Sequence, residues 1–177
     1  VIQGNAGALS INVGDYGQKL PGSDGWLKGT LTVQAEGNVA LSEWTDDLRV
    51  KSVHSNSGDV TLSVLQGSLL ASDRVEDAAT TNITGRQVRL TAGVADKLDE
   101  VRNLGTLLSE LRIDAQALTA TTHTRLNSIV SIRDVNDLQL DSLAFDGEAS
   151  LLITANEDLT VKTDLVVSGT AYTTLRL

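Results

Sequence analysis

The sequence predicts an all-β chain wound as a right-handed parallel β-helix, a β-solenoid of ~8 coils with ~21 residues in each and one short lateral helix. Three observations point there. The first is a repeated pattern, Gly-x-h-x-h with h apolar, at Gly7 (Leu9, Ile11), Gly29 (Leu31, Val33), Gly37 (Val39, Leu41), Gly58 (Val60, Leu62) and Gly147 (Ala149, Leu151). The second is its spacing. Gly7 and Gly29 are 22 residues apart, Gly37 and Gly58 are 21 apart, and the pattern Asp-Leu-x-h recurs at Asp47, Asp137 and Asp158, the last two again 21 apart. The third is alternation: apolar and polar residues take turns over short runs separated by Gly, Asp, Asn or Ser, which is the period of a strand.

Short strands at a fixed spacing have two explanations. An antiparallel sandwich or barrel also contains many short strands with frequent turns, but nothing in it holds distant segments to a common spacing. A solenoid coil must stack like on like, so Leu41 is expected beside Leu62, Leu48 beside Leu69, and Leu138 beside Leu159. Parallel crossover connections are right-handed by default.

The elements follow in order along a single solenoid segment, 1–177. Residues 14–29, dense in Gly and carrying the one proline at Pro21, read as a lateral loop leaving the coil at a corner. Strands are expected around Val39, Leu48, Val60 and Leu69. Residues 73–82 read as a loop. In 95–111, Leu98, Val101, Leu104 and Leu108 fall at helical spacing behind Asp96 as cap, so a helical insertion is expected, with Gly105 ending it; an alternative confines the helix to 95–103 and returns Leu111-Arg112-Ile113 to strand. Beyond it, Leu143 to Gly147 and Leu165 to Gly169 repeat at 22 residues.

Composition narrows the function. Fourteen basic residues against 23 acidic give a net charge of −9, which makes a nucleic-acid partner improbable. With no cysteine there is no disulfide, catalytic thiolate or zinc ribbon, as suits a secreted protein stabilised by repetition. No apolar run reaches the ~18 residues of a transmembrane helix, so membrane insertion is not expected. The chain opens at Val1 and contains no Met, so a segment of a larger or processed polypeptide is expected, with any targeting peptide outside it.

The order of the units carries a resemblance. Val39-Ala40-Leu41-Ser42-Glu43, Asp47-Leu48-Arg49-Val50, Ser55 to Leu62 (SNSGDVTL) and Gly67-Ser68-Leu69-Leu70 resemble repeats of the giant secreted bacterial surface adhesins of the filamentous-haemagglutinin type, and Leu111 to Ala115 with Leu118-Thr119-Ala120 is similar to their next coil. The resemblance implies right-handed parallel β-helices, an extracellular, cell-surface or secreted location, an elongated stalk or adhesive segment, and no catalytic residues. Its partners would be flanking coils or further copies of the same chain, and host or environmental glycans.

Candidate site residues are each weighed against a plainer role. Tyr16 and Trp26 in the lateral loop and Trp44 in a turn are ligand-binding candidates, because rings on the surface of a chain with 3% aromatics can stack on sugar faces; the plainer role is to cover an apolar corner. Asp46, Asp47, Asp59, Asp134, Asp137 and Asp158 supply carboxylates for the alternative function, a carbohydrate-active β-helix enzyme of lyase or hydrolase type, with Asp137 and Asp158 stacked in adjacent coils. The plainer role for Asp before a strand is to bond the local backbone. A third alternative is a calcium-stiffened spacer. Asp134 with Asp137, or Glu157 with Asp158, would then form a weak Ca²⁺ site, although no β-roll or EF-hand loop is present, and no cofactor is otherwise expected. His54 and His123 read as surface residues. Asn82-Ile83-Thr84 matches a glycosylation acceptor, a triplet common by chance.

Overall fold

The computed structural model describes residues 29–72, 80–97 and 99–162 in full and, in five further strands, the backbone alone. The strands in chain order are β1 (Ile2–Gly4), β2 (Leu9–Val13), β3 (Gln18–Lys19), β4 (Trp26–Leu27), β5 (Leu31–Ala35), β6 (Val39–Glu43), β7 (Leu48–Ser55) and β8 (Val60–Val64). They continue with β9 (Leu69–Ala71), β10 (Ile83–Ala92), β11 (Leu111–Thr122), β12 (Ser128–Asp134), β13 (Leu138–Phe145), β14 (Ala149–Ala155), β15 (Leu159–Val161) and β16 (Leu165–Val167). β3 and β4 form a separate antiparallel pair; every other pairing between strands is parallel, in an unclosed sheet compatible with a solenoid.

Parallel pairing here joins each strand to its counterpart one circuit later, which produces three ladders. The first runs through β1, β5, the second part of β7, and the start of β10 and β11, then the ends of β12 and β14. The second runs through β2, β6, β8, the ends of β10 and β11, β13, and β15 with β16. A third passes from the start of β7 through β9, Leu104 and β12 to β14. Long strands such as β10 and β11 turn a corner without ending, so one strand serves two ladders.

Side chains alternate inward and outward along each strand, so stacking in register builds columns of like residues. Leu41, Leu62, Leu90, Ala120 and Leu143 make one such column, and Leu48, Leu69, Leu104, Val130 and Leu151 another; all are at most 3% exposed. One cluster of buried residues runs from Leu31 to Ile153. Aliphatic side chains fill this thin interior in layers, one above another on rungs ~4.8 Å apart. Phe145, 1% exposed, is the aromatic exception among the described residues.

Each expected neighbour pair is present: Leu41 pairs with Leu62, Leu48 with Leu69 and Leu138 with Leu159, all running the same way. The uniform spacing needs correction. Leu9 pairs with Val39, so the motif at Gly7 stacks on the motif at Gly37, not on Gly29. The separation is likewise longer between Leu62 and Leu90 and between Leu90 and Ala120. Extra residues leave at corners while the ladders keep register. Residues 14–17 and 73–79, in the expected loops 14–29 and 73–82, lie outside the described residues.

The expected helix at 95–111, or at 95–103, is absent: no described residue of this stretch is helical. Instead Leu104 is inserted between Leu69 and Val130 as a rung of the third ladder and is fully buried, while Val101 and Leu108 are exposed. The ladder requires an inward Leu at that level, and this requirement overrides the helical spacing. Gly105 follows with φ +73, a conformation that lets the chain turn away at once. Leu111 then opens β11, as in the alternative that returned this segment to strand.

Two substitutions test the columns. Leu62→Ala should cost about 3 kcal/mol in chemical denaturation, since the rungs on either side prevent collapse of the cavity, whereas Thr61→Ala on the outer face should stay within about 0.5 kcal/mol. Gly58→Ala should also destabilise, because a Cβ there would strike the Gly37–Asn38 backbone of the neighbouring rung.

Candidate functional site

Polar chemistry concentrates at the corners, where strands end and backbone groups would otherwise be unpaired. At successive levels an Asn or Asp side chain accepts a backbone N–H from the next coil. Asn38 Oδ1 accepts from Asp59 at 2.8 Å, Asp47 Oδ1 from Ser68 at 2.9 Å, Asn82 Oδ1 from Arg112 at 3.0 Å, Asn103 Oδ1 from Ile129 at 2.8 Å and Asp137 Oδ1 from Asp158 at 2.8 Å. These bonds clamp coil to coil. They modify the plainer reading of the corner carboxylates, for Asp47 and Asp137 bond the adjacent rung and not their own turn.

Asp137 and Asp158 are therefore in adjacent coils, as their spacing predicts, with the Asp137 carboxylate committed to the Asp158 amide. Asn82, noted in the sequence only as a glycosylation triplet, is buried, and its Nδ2 donates to the Val50 carbonyl at 3.2 Å. A glycan on that nitrogen would break the clamp. Asn38 and Asn103 carry no sequence signal beyond standing one residue before a strand or bridge.

Two acids occupy inward positions of the columns, which sequence reasoning missed because each ends a strand. Asp134 lies in register between Ile113 and Ala155 and is fully buried. Its Oδ2 accepts the Ala115 N–H at 3.1 Å and its Oδ1 the Asn136 N–H at 2.8 Å. Burial pushes its carboxyl up to about 6; those two N–H bonds oppose the shift, and the nearby Asp114 and Asp137 charges add to it. Glu43 stands in the same way between Val13 and Val64. Its Oε1 accepts the Trp44 and Thr45 amides at 2.9 and 3.2 Å, and Oε2 is buried without a partner.

Trp44 follows this buried acid and is 57% exposed on the corner. Since Val13 pairs with Glu43, the chain leaves the second ladder one rung away from Trp44, and the antiparallel pair that holds Trp26, opposite Lys19, follows. Tyr16 and the side chain of Trp26 lie outside the described residues.

His123 and Asp146, stacked at the end of the second ladder, form a pair with Nδ1 2.6 Å from Oδ2. His54 Nε2 lies 2.7 Å from Asn56 Oδ1, and Asn56 also donates to Glu36 of the previous coil at 2.6 Å. Both histidines are thus tied into local polar stacks. Asp59 accepts from Arg86 at 3.1 Å and lies 3.5 Å from Arg89; the Arg86 hydrogen bond holds its carboxyl below the usual range, against a smaller opposing effect of burial. Asp46 sits in the turn before β7 and is exposed. Among the described residues no group of three or more His, Asp or Glu side chains is placed to hold a metal ion.

No family model, curated protein or solved structure matches the chain.

Asp134 makes stability depend on pH in a definite direction. Its carboxyl is raised in the folded chain, from 3.8 to about 6, so the folded state holds the proton more firmly. The resulting stabilisation is complete below 3.8 and is lost as pH rises through about 6. A shift of this size corresponds to about 3 kcal/mol. Denaturation series from pH 3.5 to 7 on the wild type and Asp134→Asn should differ in slope across this window; parallel profiles would exclude Asp134 as the source.

Proposed function

We propose that the chain is a non-enzymatic structural and adhesive module, a right-handed β-solenoid segment of a bacterial secreted or cell-surface fibre of the filamentous-haemagglutinin type. The observation that carries this reading is the second ladder. Its rungs β2, β6, β8, β10, β11, β13 and β15 with β16 are all parallel and pair like with like across intervening loops of different length. Among the described residues this ladder has seven rungs. At ~4.8 Å per rung this body is on the order of 30 Å long.

The mechanism is mechanical. Backbone hydrogen bonds between rungs run along the stacking axis, and corner amides and carboxylates add a side-chain bond at several levels. Pulling along the axis loads these bonds together with the buried columns. A solenoid also presents unpaired backbone at any uncovered end, which favours continuation by flanking coils or by another copy of the chain. The Asp158 N–H bonded to Asp137 Oδ1 gives that carboxylate a structural role, which the lyase or hydrolase alternative does not require.

Disulfide trapping tests the architecture in this cysteine-free chain: Ala40→Cys with Thr61→Cys, at outward positions of paired parallel rungs, should cross-link on oxidation, and failure to cross-link would exclude this stacking. Electron microscopy at high protein concentration tests continuation. End-to-end filaments are expected, and short capped monomers would remove the stacking claim.

A further inference from the structure

One cleft lies on the third ladder, on the side where the chain enters it. Three successive levels build it. The Leu104–Val130 bridge and the β12–β14 register place Asn103, Ile129 and Ser150 one above another, and Val101, Asn127 and Glu148 beside them, so the cleft runs along the stacking axis. Its volume is ≈ 320 Å³, at the lower end of the range for small-molecule sites. Across two rung spacings its length is on the order of 10 Å.

The wall that carries Val101 and Asn103 is held firmly although it belongs to an excursion from the coil. Arg102 is buried to 1% exposure and its guanidinium contacts Glu100 at 2.8 Å. Thr124 Oγ1 donates to the Glu100 carbonyl at 2.6 Å, and the Asn103 N–H donates to Ser68 Oγ at 3.0 Å. The site is thus shaped before a ligand arrives, which lowers the ordering cost of binding.

The chemistry of the lining selects the ligand. Asn103 Oδ1 is engaged by the Ile129 N–H, leaving its Nδ2 as a donor. Asn127 offers both amide groups, Ser150 a hydroxyl, and Glu148 a carboxylate acceptor, while Val101 and Ile129 supply a small apolar surface. Among the described residues no Lys or Arg lines the cleft, and the chain carries a net charge of −9. Phosphate, sulfate and uronate groups are therefore disfavoured. Paired donors and acceptors over a short apolar floor suit a ligand with adjacent hydroxyls on one face and C–H groups on the other.

We propose that this cleft is a subsite for a neutral saccharide, one or two sugar units long, lying along the stacking axis. The inference deepens the adhesive reading and rests on it, and it assigns the glycan contact to Asn127, Glu148 and Ser150 in place of Trp44.

The test is a panel of neutral, amino and acidic oligosaccharides titrated by NMR and calorimetry against the whole chain and against Asn127→Ala, Glu148→Gln, Ser150→Phe and Trp44→Ala. Neutral sugars should bind the wild type, weaken at least tenfold in the two polar variants, and be blocked in Ser150→Phe, with Trp44→Ala unchanged. Circular dichroism checks that each variant is folded, as expected for side chains outside the core. No binding by the wild type overturns the proposal. So does binding lost only in Trp44→Ala, which would keep the adhesive reading and move its site. Preference for acidic sugars, or for lysine-rich peptides through Glu148, also overturns it. Cross-linking of the Ala40→Cys/Thr61→Cys pair separates this failure from failure of the stacked-rung reading, because the cleft depends on three local levels and that pair lies on others.

Discussion

In-register parallel stacking is the constraint on which the rest of this structure depends. When each strand pairs with its own counterpart one circuit on, the side chain above and below any inward position is fixed by the fold. Leu41 must meet Leu62 and Leu62 must meet Leu90. A slip of one residue at any level would turn that level's apolar set outward and leave the neighbouring rungs uncovered. The columns therefore enforce the register and the register fills the columns, which explains how a chain with so few rings builds a continuous interior.

The same constraint explains what varies freely. Loops can lengthen at a corner without cost to the ladders, provided that the chain returns at the proper height. The excursion after β10 shows this: it leaves past Gly93, delivers Leu104 to the third ladder between Leu69 and Val130, departs again at Gly105 and re-enters as β11. The two acids in the columns stand at strand ends, where turn amides are close. Asp134 and Glu43 occupy such places, and in both the carboxylate takes up two backbone N–H groups that the corner would otherwise leave unpaired.

The adhesive reading and the cleft share this origin. Outward residues at corresponding positions come into line across levels, so Asn103, Ile129 and Ser150 form one strip of surface although they are far apart in sequence. A solenoid turns spacing along the chain into a surface that runs along its axis. Corner side chains become clamps for the same reason: Asp137 and Asn82 each meet the backbone of the next level and satisfy it.

The sequence alone determined the pairing of β6 with β8, β7 with β9 and β13 with β15 and β16, since Gly-x-h-x-h and Asp-Leu-x-h record inward positions and corners directly, and the pairs Leu48 with Leu69 and Leu138 with Leu159 follow by counting. It also marked Asp137 and Asp158 as neighbours. Only the tertiary structure decided that Leu104 is a rung and not part of a helix, that the motif at Gly7 stacks on Gly37, and that Asp134 is buried. Local spacing is nearly the same for a helical face and for a lone inward leucine between turns. Which of the two forms depends on the vacancy that Leu69 and Val130 leave between them, and that vacancy exists only once the coils are stacked.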